Sequence, residues 1–384
     1  MAVIAGYART PFGKYRGSLS EYSAVQLGTM AISGLLESLD IPPESGVIDG
    51  VYMGMVLQGG AGQAPARQAA MGAGLPLKTP ATTLNKVCGS SLKAVMISAS
   101  EIEAGRSEVL VAGGMESMSN APMVARNVSK GESVEYSSLV SILQHDGLKD
   151  AFSGESMGIT GENIAIEEGV SRSDADEYAL QSHSRASAAW RNGWMGKEAI
   201  TIPNLSRDEG IRDNSTMEIL SGLRPAFLDG GVVTAGNSSQ LSDGAAALLI
   251  CSEEAAKREG WPILSRIVDF ETSGVEPSRV MSAPIPCIRS LLERNGLEAR
   301  DIDLYEHNEA FATASCGIRG HFGIDRDCFN VHGGAVAMGH PLGASGARCL
   351  MSLLNALERT GGTLGIVTLC LGGGNAVGML VSRD

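Results

Sequence analysis

The sequence has no Cys-x-x-Cys pair, no long apolar run and no excess of positive charge, and each absence removes a class of protein. Its seven cysteines, at 88, 251, 287, 316, 328, 349 and 370, follow no zinc-like spacing. Their odd number does not suit a disulfide framework, so reduced thiols in a cytosolic protein fit best. No apolar segment reaches the length of a membrane span. The opening residues lack the charged start and apolar stretch of a secretory leader, and the final Ser-Arg-Asp is not a peroxisomal address. A cytoplasmic location is expected. Lys and Arg number 30 against 43 Asp and Glu, a net charge of −13, which argues against non-specific binding to nucleic acid or anionic membranes. With 43% hydrophobic and 19% charged residues there is no disordered signature.

What the chain does have is glycine, 49 residues clustered at the ends of apolar runs, where tight turns and close packing need it. A length of 384 residues suits two ordinary domains, or two plus an excursion. Strands are predicted at Val3–Ala5, Gly50–Val56 and Val109–Ala112, and helices at Ser23–Leu39 and Leu92–Ile102, a β/α alternation that points to a layered α/β architecture. The second half repeats the theme, with a helix from Gly343 to Leu357, a strand at Leu364–Leu369 and a closing glycine cluster. This reads as an internal duplication. Two such halves, packed face to face, would bring two helix N-termini to a shared cleft. Between them lies a more polar stretch, 118–245, with a helix over Ser173–Asn192 capped by Ser171 or Ser173.

Three glycine-rich runs carry the chemistry: Asn85-Lys-Val-Cys-Gly-Ser-Ser-Leu-Lys-Ala94, Gly333 through Gly346, and Cys370-Leu-Gly-Gly-Gly374. Cys88 precedes a helix, where N–H donors lower a thiol pKa, so it reads as a nucleophile rather than core filler. His340, held between Gly339 and Pro341, is the candidate base or donor. Cys370, at a strand end beside a glycine triplet, is a candidate general acid or base. Asn308 either holds a water for an oxyanion or caps a helix beginning at Glu309. His145, His183, His307, His321 and His332 read as structural.

Taken together, these runs resemble the thiolases, the acetyl-CoA acetyltransferases and 3-ketoacyl-CoA thiolases, over essentially the whole chain. Further matches are Ala8-Arg-Thr-Pro-Phe-Gly13, Asp146–Phe152, Met157–Asn163, Arg224–Ala245, Asn308-Glu-Ala-Phe-Ala312 and Asn330–Gly346. The resemblance implies a thiolase-like α/β fold of two similar halves, 1–117 with 246–265 and 266–384, and an inserted loop domain, 118–245. It implies an acyl-CoA C-acyltransferase working on acetyl-CoA or 3-ketoacyl-CoA with free CoA, as a homodimer or homotetramer, without metal or resident cofactor. By that resemblance Cys88 takes the acyl group, and His340 activates it and, with Asn308, positions the water of one oxyanion hole. Cys370 exchanges the α-carbon proton, and the N–H groups of Cys88 and Gly372 form the second hole. CoA contacts would fall on Leu148, Met157, Arg212, Phe227, Ala235, Ser239 and Phe311, with the Arg212 guanidinium suited to adenine or a phosphate.

The chain departs from the family at three places. Ser156 stands where many members have histidine, His332 adds an imidazole expected near the site, and Val280-Met-Ser-Ala-Pro284 replaces a frequent Met-Gly-x-Gly-Pro. The last change touches the pocket, leaving open a degradative long-chain thiolase as the alternative to an acetoacetyl-CoA enzyme. Ketoacyl synthases share the fold but lack the second cysteine. A non-catalytic acyl-CoA-binding descendant would have lost the nucleophile or base, and here both are present.

Overall fold

The computed structural model describes residues 1–383 apart from 127, 132 and 204. In chain order the strands are β1 (Ala2–Arg9), β2 (Gly13–Lys14), β3 (Gly50–Gly54), β4 (Ala81–Leu84), β5 (Val109–Ser117), β6 (Met123–Val124), β7 (Val140–Ser141), β8 (Ser242–Ser252), β9 (Ser265–Gly274), β10 (Leu304–His307), β11 (Leu364–Leu371) and β12 (Asn375–Ser382). The α-helices are α1 (Ala24–Ser38), α2 (Pro65–Gly72), α3 (Ser90–Glu103), α4 (Met157–Glu167), α5 (Arg172–Arg191), α6 (Met217–Ser221), α7 (Glu253–Glu259), α8 (Pro284–Arg294), α9 (Ala312–His321), α10 (Ala335–Met338) and α11 (Ser345–Thr360). Local chemistry sets several of these ends. Ser23 and Gln26 cap α1 reciprocally, and Ser171 and Asp174 do the same for α5. None of the described helices is long and apolar enough to cross a membrane.

The duplication is visible in the strand order. The first half runs β4-β3-β5-β8-β1, with β3 parallel to both β4 and β5 and the rest antiparallel. The second runs β10-β11-β12-β9, with β10 and β11 parallel and the rest antiparallel. A parallel bridge from Phe329 to Tyr305 takes the place beside β10 that β4 takes beside β3. The two halves meet where Val3 and Ile4 of β1 pair with Arg266 and Ser265 of β9.

Strand alternation then divides the interior into layers. On β5, Val109 and Val111 face one core with α1 and α2, whereas Leu110 and Ala112 face a central core containing α3 and α11. Val367 and Leu369 of β11 enter that central core from the other half, and Ile366 and Cys370 face a third core with α8 and α9. The architecture is therefore helices, sheet, two central helices, sheet, helices. The stretch 118–245 holds the β6–β7 hairpin and α4, α5 and α6, and β8 begins inside it at Ser242. Arg9 ties it to β1: fully buried, its guanidinium reaches Glu198 at 2.9 Å and Asp208 at 2.7 Å.

The central helices approach closely at their N-termini. Ala347 N donates to Ser91 Oγ at 2.9 Å. A Cβ on Gly346 would lie 2.6 Å from Leu92 N, inside contact distance of backbone. Gly346→Ala is therefore expected to destabilise the protein by about 1–3 kcal/mol through overpacking. Denaturant unfolding checks this, and an unchanged midpoint would contradict the close approach.

Candidate active site

Cys88 sits on an elbow between β4 and α3. Val87 adopts φ +47°, a left-handed conformation unfavourable for a β-branched residue. Three hydrogen bonds hold it there. Val87 N donates to Asn85 Oδ1 at 2.9 Å, Ser90 Oγ donates to Val87 O at 2.6 Å, and Lys86 N donates to Ser90 Oγ at 2.8 Å. The turn leaves Cys88 two residues ahead of the first residue of α3, so the helix predicted from Leu92 begins earlier, at Ser90.

His340 follows Gly339, whose φ of +108° and contact with Ser242 leave no room for a Cβ. Its backbone N–H donates to Gln240 O at 2.9 Å. Its ring lies between two polar groups, with Nδ1 2.5 Å from Ser345 Oγ and Nε2 3.3 Å from Asn308 Nδ2. Cys370 is the penultimate residue of β11, its sulfur 3.4 Å from Met281 Sδ. These elements converge on one narrow cavity of ≈ 60 Å³, lined by Cys88, His340, Cys370 and Gly372 together with Leu148, Met157, Ser239, Val280, Met281 and Phe311.

Asn308 does not line this cavity but stands behind His340, and it caps no helix. The helix expected at Glu309 begins instead at Ala312, with Phe311 at its N-cap. Asn308 N continues the strand pairing to Thr368 O at 3.0 Å, and Ala310 N turns back onto Asn308 O at 2.9 Å, which delays the first helical turn. Arg212 and Ala235 are exposed and lie outside the cavity. Phe227 is outside it as well, its ring edge-on to Phe311 at 6.1 Å.

The expected extra imidazole is not at the site. His332 is buried against Trp194, ring centroids 5.4 Å apart, and accepts from Arg359 Nε at 3.0 Å, because the bulky Trp194 and Arg359 offer it a packed niche away from the cavity. Ser156 caps α4 through Gly158 N. The remaining histidines have structural surroundings: His183 accepts the Arg212 N–H, His307 meets Ser315, His321 lies beside Glu168 and His145 beside Asp146.

Sequence reasoning passed over two buried carboxylates that hold the loops in place. Glu116 accepts from Val56 N at 3.0 Å, Leu57 N at 3.1 Å and Gly343 N at 3.0 Å, linking the first half to the histidine loop. Burial pushes its pKa up to about 7. Glu309 accepts from Tyr178, Ser182, Asn330 and Val336 N, so it braces the Asn308 turn against α5 and the run after Asn330. The available signal was an acidic residue ending the apolar run Val109–Met115, and another beside Asn308.

The electrostatics overturn one expectation. Cys88 was expected to have a lowered thiol pKa, yet burial raises it to about 12, with the Glu116 charge adding to the rise. The backbone N–H groups of Cys88 and Gly372 favour the thiolate but do not offset the lost hydration. Burial raises Cys370 as well, and the neighbouring Cys88 raises it further. His340 falls to about 3, through burial first and then the Arg348 charge. All three shifts run in the same sense, toward neutral thiols and an uncharged imidazole.

Fold and site together define an acyltransferase built from a duplicated α/β unit. The comparisons make the family plain: the chain matches the thiolase N-terminal domain over residues 2–254 and the thiolase C-terminal domain over 261–383, and it belongs to the thiolase family. It is 44% identical to the acetyl-CoA acetyltransferase of Rhizobium meliloti (strain 1021) over 389 residues, which is 99% of this chain and 98% of that protein. It is 43% identical to the acetyl-CoA acetyltransferase of Pseudomonas aeruginosa over 391 residues, 100% of this chain and 99% of that one. The crystal structure of Acat5 thiolase from Ascaris suum in complex with coenzyme A superposes with a TM-score of 0.93 at 35% identity, covering 100% of both chains.

A neutral resting pair has a measurable consequence. At pH 7 a thiol with a pKa near 12 is ionised in roughly one molecule in 10⁵. Alkylation of Cys88 by iodoacetamide, followed by peptide mass spectrometry, should therefore climb steadily from pH 6 to pH 10. A rate that is flat over this range would mean a preformed thiolate–imidazolium pair.

Proposed function

We propose that this protein is an acyl-CoA C-acyltransferase that interconverts two acetyl-CoA with acetoacetyl-CoA and CoA through an acyl-Cys88 thioester. The observation that carries the reading is the convergence of Cys88, His340 and Cys370 on one narrow cavity. In the thiolysis direction, His340 Nε2 takes the Cys88 proton while the sulfur bonds to the 3-keto carbon. The C2–C3 bond breaks, its electron pair passes to C2, and Cys370 protonates C2 to release acetyl-CoA. Free CoA gives its thiol proton to Cys370 and attacks the thioester, and Cys88 leaves and recovers its proton from His340. Splitting the cleavage in this way replaces one difficult step with two easier ones. His340 with Asn308 would face one oxyanion, and the N–H groups of Cys88 and Gly372 the other, each donor worth roughly 3 kcal/mol of barrier.

A short acyl group fits best. The ≈ 60 Å³ cavity offers about the room of four or five waters, and the side chain of Met281 fills its Cys370 side. This supports acetoacetyl-CoA over the long 3-ketoacyl-CoA of a degradative thiolase. The pantetheine and nucleotide of CoA would run outward past Leu148, Met157, Ser239 and Phe311 toward Phe227, Ala235 and Arg212. No resident cofactor enters the scheme, since CoA is a substrate. We place the enzyme in the cytoplasm as a homodimer or homotetramer. The exposed apolar side chains of Met123, Val134 and Tyr136, in β6 and the segment that joins it to β7, support self-association.

Wild-type protein should cleave acetoacetyl-CoA with free CoA, and Cys88→Ala should lower turnover at least about a thousandfold. Activity retained in Cys88→Ala would remove the acyl-Cys88 thioester, and no activity in the wild type would leave an acyl-CoA-binding protein. Met281→Gly should shift the ratio of kcat/KM values toward longer 3-ketoacyl-CoA by about tenfold or more, each methylene admitted being worth about 1 kcal/mol or more. An unchanged ratio would remove Met281 from chain-length control. Light scattering of a stable monomer would count against the assembly.

A further inference from the structure

Arg348 lies one layer behind the site, on the second turn's inner face of α11, and is fully buried. Its Nη1 donates to Glu306 Oε1 at 2.6 Å, while Nη2 lies 3.4 Å from Asn308 Oδ1. Its Nε makes no hydrogen bond among the described residues. A buried ion pair is an expensive way to fill a core, since apolar residues of similar volume often do so at equal or better stability. Its placement against Asn308 suggests what it does there.

The two ends of an asparagine amide have opposite capacities, and which end faces which neighbour follows from the partners. Arg348 can only donate, and Cys349 Sγ, 3.8 Å from the same Oδ1, also donates. The carbonyl end of Asn308 is therefore held on their side. The amide N–H of Nδ2 must then point at His340 Nε2, 3.3 Å away, which accepts it only as an unprotonated nitrogen. On the far side of the ring, Ser345 Oγ donates its single proton to Pro341 O at 2.9 Å and so can accept the Nδ1–H at 2.5 Å. Donors and acceptors match along the whole path in one direction: Arg348 to Asn308, Asn308 to His340, His340 to Ser345, Ser345 to Pro341. A flipped Asn308 would set two acceptors, Oδ1 and the Nε2 lone pair, against each other, or require a proton on Nε2 and reverse the bonds to Ser345.

We infer that Arg348 is a positioning residue which, by fixing the sense of the Asn308 amide, sets the tautomer of His340 with the proton on Nδ1 and Nε2 unprotonated. To take the Cys88 proton that nitrogen must release the Asn308 N–H, after which the Nε2–H and the freed amide N–H can both serve an oxyanion. Glu306 holds the guanidinium in place. The inference rests on the acyltransfer reading for its kinetic consequences only, because the tautomer can be read without turnover.

The test is ¹⁵N imidazole NMR of uniformly ¹⁵N-histidine-labelled full-length protein, with His340 assigned by its loss in His340→Asn, alongside steady-state kinetics. Wild type should show Nδ1–H and an unprotonated Nε2 for His340, and an Nε2–H signal would overturn the inference outright, whatever the variants do. In Arg348→Met/Glu306→Leu, which removes both charges and keeps the core filled, an Nε2–H population should appear. With acetoacetyl-CoA, kcat should fall about 10–100-fold, as for a catalytic group slightly misplaced, with KM changed less than threefold. Arg348→Lys, which retains a donor, should keep the Nδ1–H form and recover most of kcat. A double variant with wild-type tautomer and kcat would sink the inference, as would a Lys variant that loses kcat while its tautomer is unaltered. Absence of turnover in wild type with the expected tautomer would count against the acyltransfer reading alone.

Discussion

The structure depends on a close backbone contact between its two halves. A Cβ on Gly114, in β5, would lie 1.9 Å from Gly343 O in the histidine loop, and one on Gly343 would lie 2.7 Å from Met115 O. No side chain fits at either place, so glycine is the residue that lets the loop carrying His340 rest on the strand of the opposite half. Glu116, the second residue beyond Gly114, then accepts the Gly343 N–H. The same seam brings α3 and α11 together at their N-termini, and the cavity opens beside it. Cavity position, thiol environment and helix packing all follow from that approach.

Burial at this seam has two opposing effects on the chemistry. A helix N-terminus and two backbone N–H groups favour a thiolate at Cys88, whereas removal of water disfavours any charge there. Desolvation wins in the free protein. His340 is moved the opposite way by the same cause. The polarity beside Cys88 then lies in the oriented N–H groups of Cys88 and Gly372 rather than in a thiolate–imidazolium pair. Donors fixed in advance need no reorganisation when negative charge develops on a substrate oxygen.

Much of this was legible in the chain. Cys88, His340, Cys370 and Gly372 lie in glycine-rich runs whose local geometry is nearly self-determined, and the cavity unites all four. Ser171, one of the two caps offered for α5, was readable because Ser171 and Asp174 interact within one turn, whereas Ser23, placed inside the first helix, is instead the N-cap of α1. Leu148, Met157, Ser239 and Phe311 also line the cavity, whereas Arg212, Phe227 and Ala235 lie outside it on the surrounding surface. The Asn308 cap failed because strand pairing to Thr368, distant in sequence, outcompeted a local turn. His332 was misplaced for a similar reason: its partners Trp194 and Arg359 come from remote segments.

The sequence by itself determined the alternation of strands and helices, the duplication, and the loops that carry Cys88, His340 and Cys370, because short-range periodicity and glycine-permitted turns act over a few residues. Only the tertiary structure decided the burial that shifts those residues, the polar partners behind His340 and the small volume left beside Met281. Desolvation, hydrogen-bond direction and free volume are properties of what surrounds a group on all sides, and here the surroundings of each catalytic candidate come from both halves of the chain.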